Sequence, residues 1–331
     1  MKALVFEKTG LENLQVRDIE KPIAGPHEVL IHVKMAGVNP IDYSVVNAMP
    51  NVKPMPHIPG AEFAGIIEEI GEHVSNLAKG DRVIVYNRVF DGSCDMCISS
   101  NEMLCRNGGI MSVITNGGYV EYAAIPATNA FRMPEGLSWE VAASLPVAAL
   151  TPFHALKEAE LKANENFLVF GASGNTGTFA LQFGKKIGAK VIAISRKDWV
   201  KDFGADYVVN YQDAVAKIME LTSGTMVDVV LNSIGSETWP TALELLGLNG
   251  RLVFFGTLTG GNVSLALNKI YGKQVKILGT TGGNRKELHE LLGVSKDLKL
   301  NVWKKFKLED GAQALRALFS KERDGRILLE T

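Results

Sequence analysis

The sequence predicts an α/β protein with a β-rich first part and a doubly wound parallel sheet behind it, on three observations. Residues 1–125 are short β-branched runs punctuated by Gly and Pro. From about residue 137 strand-like and helix-like segments alternate. Within that alternation an apolar run, Phe167-Leu168-Val169-Phe170, leads into glycines at 171, 174 and 177 and then into a helical pattern.

In chain order, a strand-like piece at residues 1–7 is followed by β-branched runs at 29–33, 65–70 and 82–86. Pro22, Gly25-Pro26, Pro59-Gly60, Gly71 and Gly80 separate them. Gly117-Gly118 precedes another strand at 119–124. Ser138-Trp139-Glu140 before Val141-Ala142-Ala143-Ser144-Leu145 is a capped helix start stopped by Pro146, and residues 151–159 give a second helix. Six strands follow at 167–170, 190–194, 207–209, 228–231, 251–255 and 275–278. Helices separate most of them, as at 238–246. That rhythm fits a doubly wound sheet. After residue 281, helices at 286–292 and 309–319 precede a closing strand at 326–329, expected to return to the first domain. The expected division is 1–127, 128–280 and 281–331.

The glycine turn carries the chemistry. Phe179, Phe183 and Ile187 recur at helical spacing, and Lys190-Val191-Ile192-Ala193-Ile194 completes a βαβ unit. A buried strand, a glycine turn and a helix N-terminus together cradle a diphosphate, because glycine allows close backbone approach and the helix end favours an anion. Gly171, Ser173, Gly174, Asn175, Thr176 and Gly177 form that cradle. At the end of the second strand, a carboxylate would bind an NAD ribose. Ser195, Arg196 and Lys197 stand there instead. Hydroxyl and guanidinium groups suit a 2′-phosphate, so NADPH is the expected coenzyme, with nearby Asp198 leaving NADH open.

A chain of 331 residues with 46% hydrophobic and 21% charged residues is an ordinary globular protein of about two domains. A net charge of −1 gives no reason to expect nucleic acid or an anionic membrane. The N-terminus has no signal-peptide core and no apolar run has spanning length, so a cytoplasmic protein is expected. All three cysteines lie between 94 and 105, an odd count that argues against a disulfide framework.

These features, with His57-Ile58-Pro59-Gly60-Ala61-Glu62-Phe63-Ala64-Gly65, Gly80-Asp81-Arg82-Val83, Leu145-Pro146-Val147-Ala148-Ala149-Leu150-Thr151 and Asn249-Gly250-Arg251-Leu252-Val253, resemble the medium-chain dehydrogenase/reductase superfamily over essentially the whole chain. The resemblance implies a GroES-like catalytic domain joined to a Rossmann domain. Zinc-dependent alcohol dehydrogenases of that superfamily hold a catalytic metal. Their ligand positions fall here on Asn39, on Ala61 of Gly60-Ala61-Glu62, and near Ala148. An intact catalytic zinc site is therefore not expected. Gly37-Val38-Asn39-Pro40-Ile41-Asp42 resembles the quinone oxidoreductase and enoyl reductase branch instead. A structural zinc lobe of the superfamily, with ligands at relative offsets 0, 3, 6 and 14, maps onto Asp91, Cys94, Cys97 and Cys105. A structural zinc is expected there, with buried free thiols as the alternative.

By the same resemblance Arg196 and Tyr211 meet the 2′-phosphate. Asn232, Phe255 and Gly256 line the nicotinamide ribose, and Thr151 helps hold the coenzyme. Asn39 is expected to bond near the nicotinamide or acceptor oxygen. Tyr43 is the candidate proton donor, with a packing role as its alternative. Asp42 and Glu62 are read either as site residues or as structural carboxylates with basic partners. The expected activity is hydride transfer from NADPH to an activated C=C or quinone without catalytic zinc. Two alternatives stay open: an NADP-dependent alcohol dehydrogenase, and a non-catalytic NADPH-binding protein. The expected partner is a small electrophilic acceptor, and the expected assembly a homodimer or homotetramer.

Overall fold

Phe167, Leu168, Val169 and Phe170 are at most 1% exposed. Their strand, Asn166–Phe170, lies inside a six-stranded parallel sheet with a neighbour on each edge. Both faces of such a strand are covered, which is why its sequence shows no polar alternation. Helix Asn175–Ile187 follows and buries Phe179 and Phe183, and Gly188 ends it in the left-handed region at φ 91°. Ile187, the last residue of the expected apolar stripe, is instead 39% exposed.

The computed structural model describes residues 1–331. It divides into Met1–Ala148 with Asn284–Thr331, and Ala149–Gly283. The second unit holds the parallel sheet, in the order Tyr207–Val209, Lys190–Ile194, Asn166–Phe170, Val227–Asn232, Leu246–Phe254 and Lys276–Gly279. Strand order reverses between Asn166–Phe170 and Val227–Asn232, the switch point where doubly wound sheets bind ligands. Phe170 pairs with Ile194 and Asn232, and Asn232 with Phe254, so the C-terminal strand ends share one edge. The helix expected over 238–246 is Trp239–Leu245, and the next strand begins at Leu246, earlier than composition suggested.

The first unit is built on a seven-stranded sheet around the ten-residue strand Glu28–Gly37. One half of that strand pairs with Tyr122–Pro126 and its end pairs with Arg326–Glu330. The closing strand therefore does return to this unit. It brings parallel Val302–Lys307 with it, a strand that composition did not reveal because three of its six residues are lysines. Helix Pro40–Asn47 was also not expected, although its start carries its own signals. Asn39 is the N-cap, proline occupies the first turn, and the Asp42 side chain accepts the Asn39 N–H. Contacts place the unit boundary at 148/149, where composition placed it at 127/128. The difference arises because helix Trp139–Ala142 packs on Glu28–Gly37 and Glu62–Ile70. No helix is long and apolar enough to cross a membrane.

Candidate active site

Every coenzyme residue expected from the sequence except Thr151 lies at or just beyond the C-terminal end of a parallel strand. Gly171 turns the chain at φ 69° directly after Phe170, and Gly174 caps helix Asn175–Ile187. A Cβ at Gly177 would lie 2.7 Å from Ala172 Cα and closer still to the Gly171 oxygen, so only glycine lets helix and strand approach this far. Asn232 ends Val227–Asn232 buried, its Oδ1 accepting from Ile234 N at 3.0 Å, Gly235 N at 3.3 Å and Thr238 Oγ1 at 3.1 Å. Its Nδ2 is buried with no hydrogen-bond partner. Three donors on one oxygen fix the amide plane, and the orphaned N–H₂ is a preset donor for a ligand at the strand ends.

Phe255 N donates to Asn232 O at 3.2 Å, and Gly256 follows at φ 95°. Tyr211 packs beside Phe170 with ring centroids 6.1 Å apart. Burial raises its phenol, while a hydrogen bond with the Gly171 backbone and then the Arg196 charge pull the other way. The Ser195 hydroxyl accepts the Lys197 N–H at 2.9 Å and is thus used inside the turn. Arg196 is exposed. Thr151 lies in helix Leu150–Glu158, which packs on helix Asn175–Ile187 and on strand Leu246–Phe254. The glycine approach and the orphaned Asn232 amide fit a dinucleotide.

In the first unit, Asn39, Asp42 and Glu62 are buried around Arg326. The Arg326 Nη1 donates to Asn39 Oδ1 at 2.8 Å and Val38 O at 3.0 Å. Its Nε donates to Ser144 Oγ at 3.1 Å and its Nη2 to Glu62 Oε1. Glu62 Oε1 also accepts Asn39 Nδ2 at 2.8 Å. Its Oε2 accepts the N–H groups of Val147 at 2.8 Å and Ala148 at 3.0 Å. Gly37 has no side chain because a Cβ would run into Arg326 and Glu62. Asp42 accepts from Asn39 N, Ala61 N and Tyr119 OH at 2.8, 2.8 and 2.9 Å.

This geometry corrects one expectation. Asn39 turns its amide inward, oxygen to Arg326 and nitrogen to Glu62, and does not present it to a ligand. Tyr43 packs edge-on against Phe319 with centroids 4.6 Å apart. Asp42 and Glu62 are the structural carboxylates of the second reading. Arg326, Tyr119 and Ser144 had no place in the sequence reading. The available signal was Glu62 itself, a carboxylate inside Gly60-Ala61-Glu62-Phe63-Ala64-Gly65 that needs a buried cation.

Burial pushes Asp42 up to about 6 against its three donors and Arg326, and burial lowers Arg326 to about 9. A carboxyl raised by folding binds its proton more tightly in the native state. Its stabilising contribution is complete below the unfolded value near 3.8 and lost as pH rises through about 6. Relative to Asp42→Asn, the wild type should therefore lose about 2.4 kcal/mol of stability between about pH 4 and pH 7. Urea melts of both proteins across that range give the difference, and a flat difference would contradict the assignment.

The lobe at Asp91, Cys94, Cys97 and Cys105 brings all four ligand atoms within 4.8 Å of one another. Cys94 Sγ lies 3.6 Å from Cys97 Sγ and 3.8 Å from Cys105 Sγ. Tetrahedral zinc with bonds of about 2.3 Å separates its sulfurs by about 3.8 Å, whereas a disulfide would need about 2 Å. Asp91 is aimed by the N–H groups of Ser93 and Cys94 and by Asn107, which hold its carboxyl well below the usual range. The four groups fit a zinc shell.

Residues 25–135 match the alcohol dehydrogenase GroES-like domain family, and residues 176–296 the zinc-binding dehydrogenase family. An NAD-dependent alcohol dehydrogenase of Sulfolobus acidocaldarius is 31% identical, over 100% of this chain and 99% of that one. An acryloyl-coenzyme A reductase of Metallosphaera sedula is 29% identical over 100% of both. The solved structure of a thermostable alcohol dehydrogenase from Pyrobaculum aerophilum matches with 40% identity and a TM-score of 0.93, over 100% and 99% of the chains. The two domains, the glycine cradle and the cysteine lobe are those of an oxidoreductase that works with a nicotinamide coenzyme. The chain belongs to the medium-chain dehydrogenase/reductase superfamily.

Proposed function

We propose that this protein reduces an activated C=C bond or a quinone with NADPH and without a catalytic metal. One observation carries the reading. The Arg326 guanidinium engages both Asn39 and Glu62, while Ala148 gives Glu62 only a backbone N–H. A neutral amide and a carboxylate already saturated by four donors leave no open ligand set for zinc. A conjugated acceptor needs none, because charge from hydride attack spreads onto its own carbonyl. Similarity to acryloyl-coenzyme A reductase supports this acceptor class.

When bound, the nicotinamide supplies the hydride. The chain's residues bind and orient. Gly171 to Gly177 and the helix N-terminus hold the diphosphate, and the Asn232 Nδ2 meets the nicotinamide half. Asp42, Glu62 and Arg326 fix the backbone at Asn39 from below. With Tyr43 packed on Phe319, solvent water is the proton source for the product. The acceptor is a small molecule, and the working form is a cytoplasmic homodimer or homotetramer.

Arg196 is the residue that selects the phosphorylated coenzyme. Arg196→Ala should weaken NADPH about tenfold or more and leave NADH nearly unchanged, since it removes one charge-assisted contact to the 2′-phosphate. Equal losses for both coenzymes, measured by fluorescence titration, would sink that role. The activity itself is tested by NADPH consumption over enones, quinones and enoyl thioesters beside primary and secondary alcohols with NADP. The 31% identity to an NAD-dependent alcohol dehydrogenase favours a second reading as an alcohol dehydrogenase. Turnover of simple alcohols with no turnover of enones would establish that reading instead.

A further inference from the structure

The unit formed by Met1–Ala148 and Asn284–Thr331 contains two adjoining hollows. They share no residue with the coenzyme cradle, the Arg326 cluster or the cysteine lobe. The first, about 410 Å³, has His27, His73, Asn76, Arg132 and Arg285 in its wall, over an apolar floor of Val74, Leu77, Ala130 and Phe131. The second, also about 410 Å³, shares Phe131 and Arg132 and adds His289, Leu292 and Lys296. Three cations, Arg132, Arg285 and Lys296, and three histidines line the pair, with no carboxylate among the lining residues.

Arg285 is the informative residue. Its Cζ lies 5.3 Å from the Phe90 ring centroid and 5.7 Å from that of Phe131, so two aromatic rings flank the guanidinium. Its Nε is buried and has no hydrogen-bond partner. The nearest acids each engage one residue of the wall and leave the Arg285 Nε unpaired. Glu102 accepts the Arg285 main-chain N–H at 2.5 Å, Asp81 pairs with Arg132 at 2.9 Å, and Glu72 lies 3.4 Å from His73. An unpaired buried guanidinium donor is costly unless an anion completes it.

We infer that these hollows form a second ligand site, which takes an organic phosphate with a flat apolar body. The forked donors of Arg285 and Arg132 suit a phosphate better than a point anion. Each hollow is larger than a bare phosphate, and the Phe131 ring between them offers a surface for an aromatic or aliphatic body. The inference does not depend on the acceptor proposed above.

The test is calorimetric titration of the zinc-loaded full chain with phenyl phosphate, with and without saturating NADPH, beside inorganic phosphate and phenol. Phenyl phosphate should bind at one site per chain, unaffected by NADPH and more tightly than either fragment. Arg285→Gln should weaken it about tenfold or more, and Arg132→Gln should weaken it by less because Asp81 already shares its charge. Unchanged NADPH binding shows that each variant is folded. Should Arg285→Gln not fold, Arg132→Gln with Lys296→Gln carries the same test. No saturable binding up to about 10 mM, displacement by NADPH, or equal affinity in every variant would overturn the site.

Discussion

Arg326→Met is expected to destabilise the protein by about 3–5 kcal/mol, the cost of leaving a buried charge without its partner. The substitution keeps most of the side-chain volume, so the loss is electrostatic and not a cavity effect. It removes the guanidinium from Glu62 Oε1, Asn39 Oδ1, Ser144 Oγ and the Val38 carbonyl, and leaves the Glu62 charge without a cation in a region with almost no solvent. Domains have only about 5–15 kcal/mol of net stability, so a loss of this size takes a large part of it. Arg326→Lys should restore little, because a single ammonium cannot reach acceptors spread around a planar fork. Adding Glu62→Gln to Arg326→Met should recover part of the loss by removing the orphaned charge. Urea melts of the four proteins measure this. A loss under about 1 kcal/mol for Arg326→Met would mean the cluster does not hold the unit together.

Gly177→Val is expected to weaken coenzyme binding about a hundredfold or more, equivalent to about 2.7 kcal/mol. The new Cβ has no room against Ala172 Cα and the Gly171 oxygen, so the helix N-terminus must move away from the strand end. The cradle acts through distance, since the backbone donors at the helix start bind the diphosphate only while that approach is kept. A matched control is Gly272→Ala in helix Leu267–Lys273, where a Cβ would meet nothing within 4 Å. That change should leave affinity unaltered and slightly favour the helix. Titration with NADPH separates the two. Equal affinities for Gly177→Val and wild type would remove the cradle from the coenzyme site.

The cradle was legible because its information is local: a strand, three glycines and a helix occupy one continuous segment, Asn166–Ile187, and their periodicities mark it. The cysteine lobe was legible for the same reason, with its four ligands inside one continuous segment whose ends, Asp91 and Cys105, are 14 positions apart. Arg326 was not, because its partner Glu62 is 264 positions away and nothing in a closing apolar strand announces the pairing. The orientation of Asn39 followed from that omission. An asparagine beside a family motif looks like a ligand-facing group until the buried guanidinium that turns it inward is found. The strand Val302–Lys307 escaped because its lysines obscure the alternation by which strands are recognised.

Zinc stoichiometry, measured together with NADPH oxidation by an enone on one preparation of wild type and Cys97→Ser, tests the central claim most directly. The account predicts one zinc per chain in the wild type, none in Cys97→Ser, and acceptor reduction that survives in whatever fraction of the variant stays folded. Two zincs in the wild type, with one retained by Cys97→Ser and required for turnover, would contradict it.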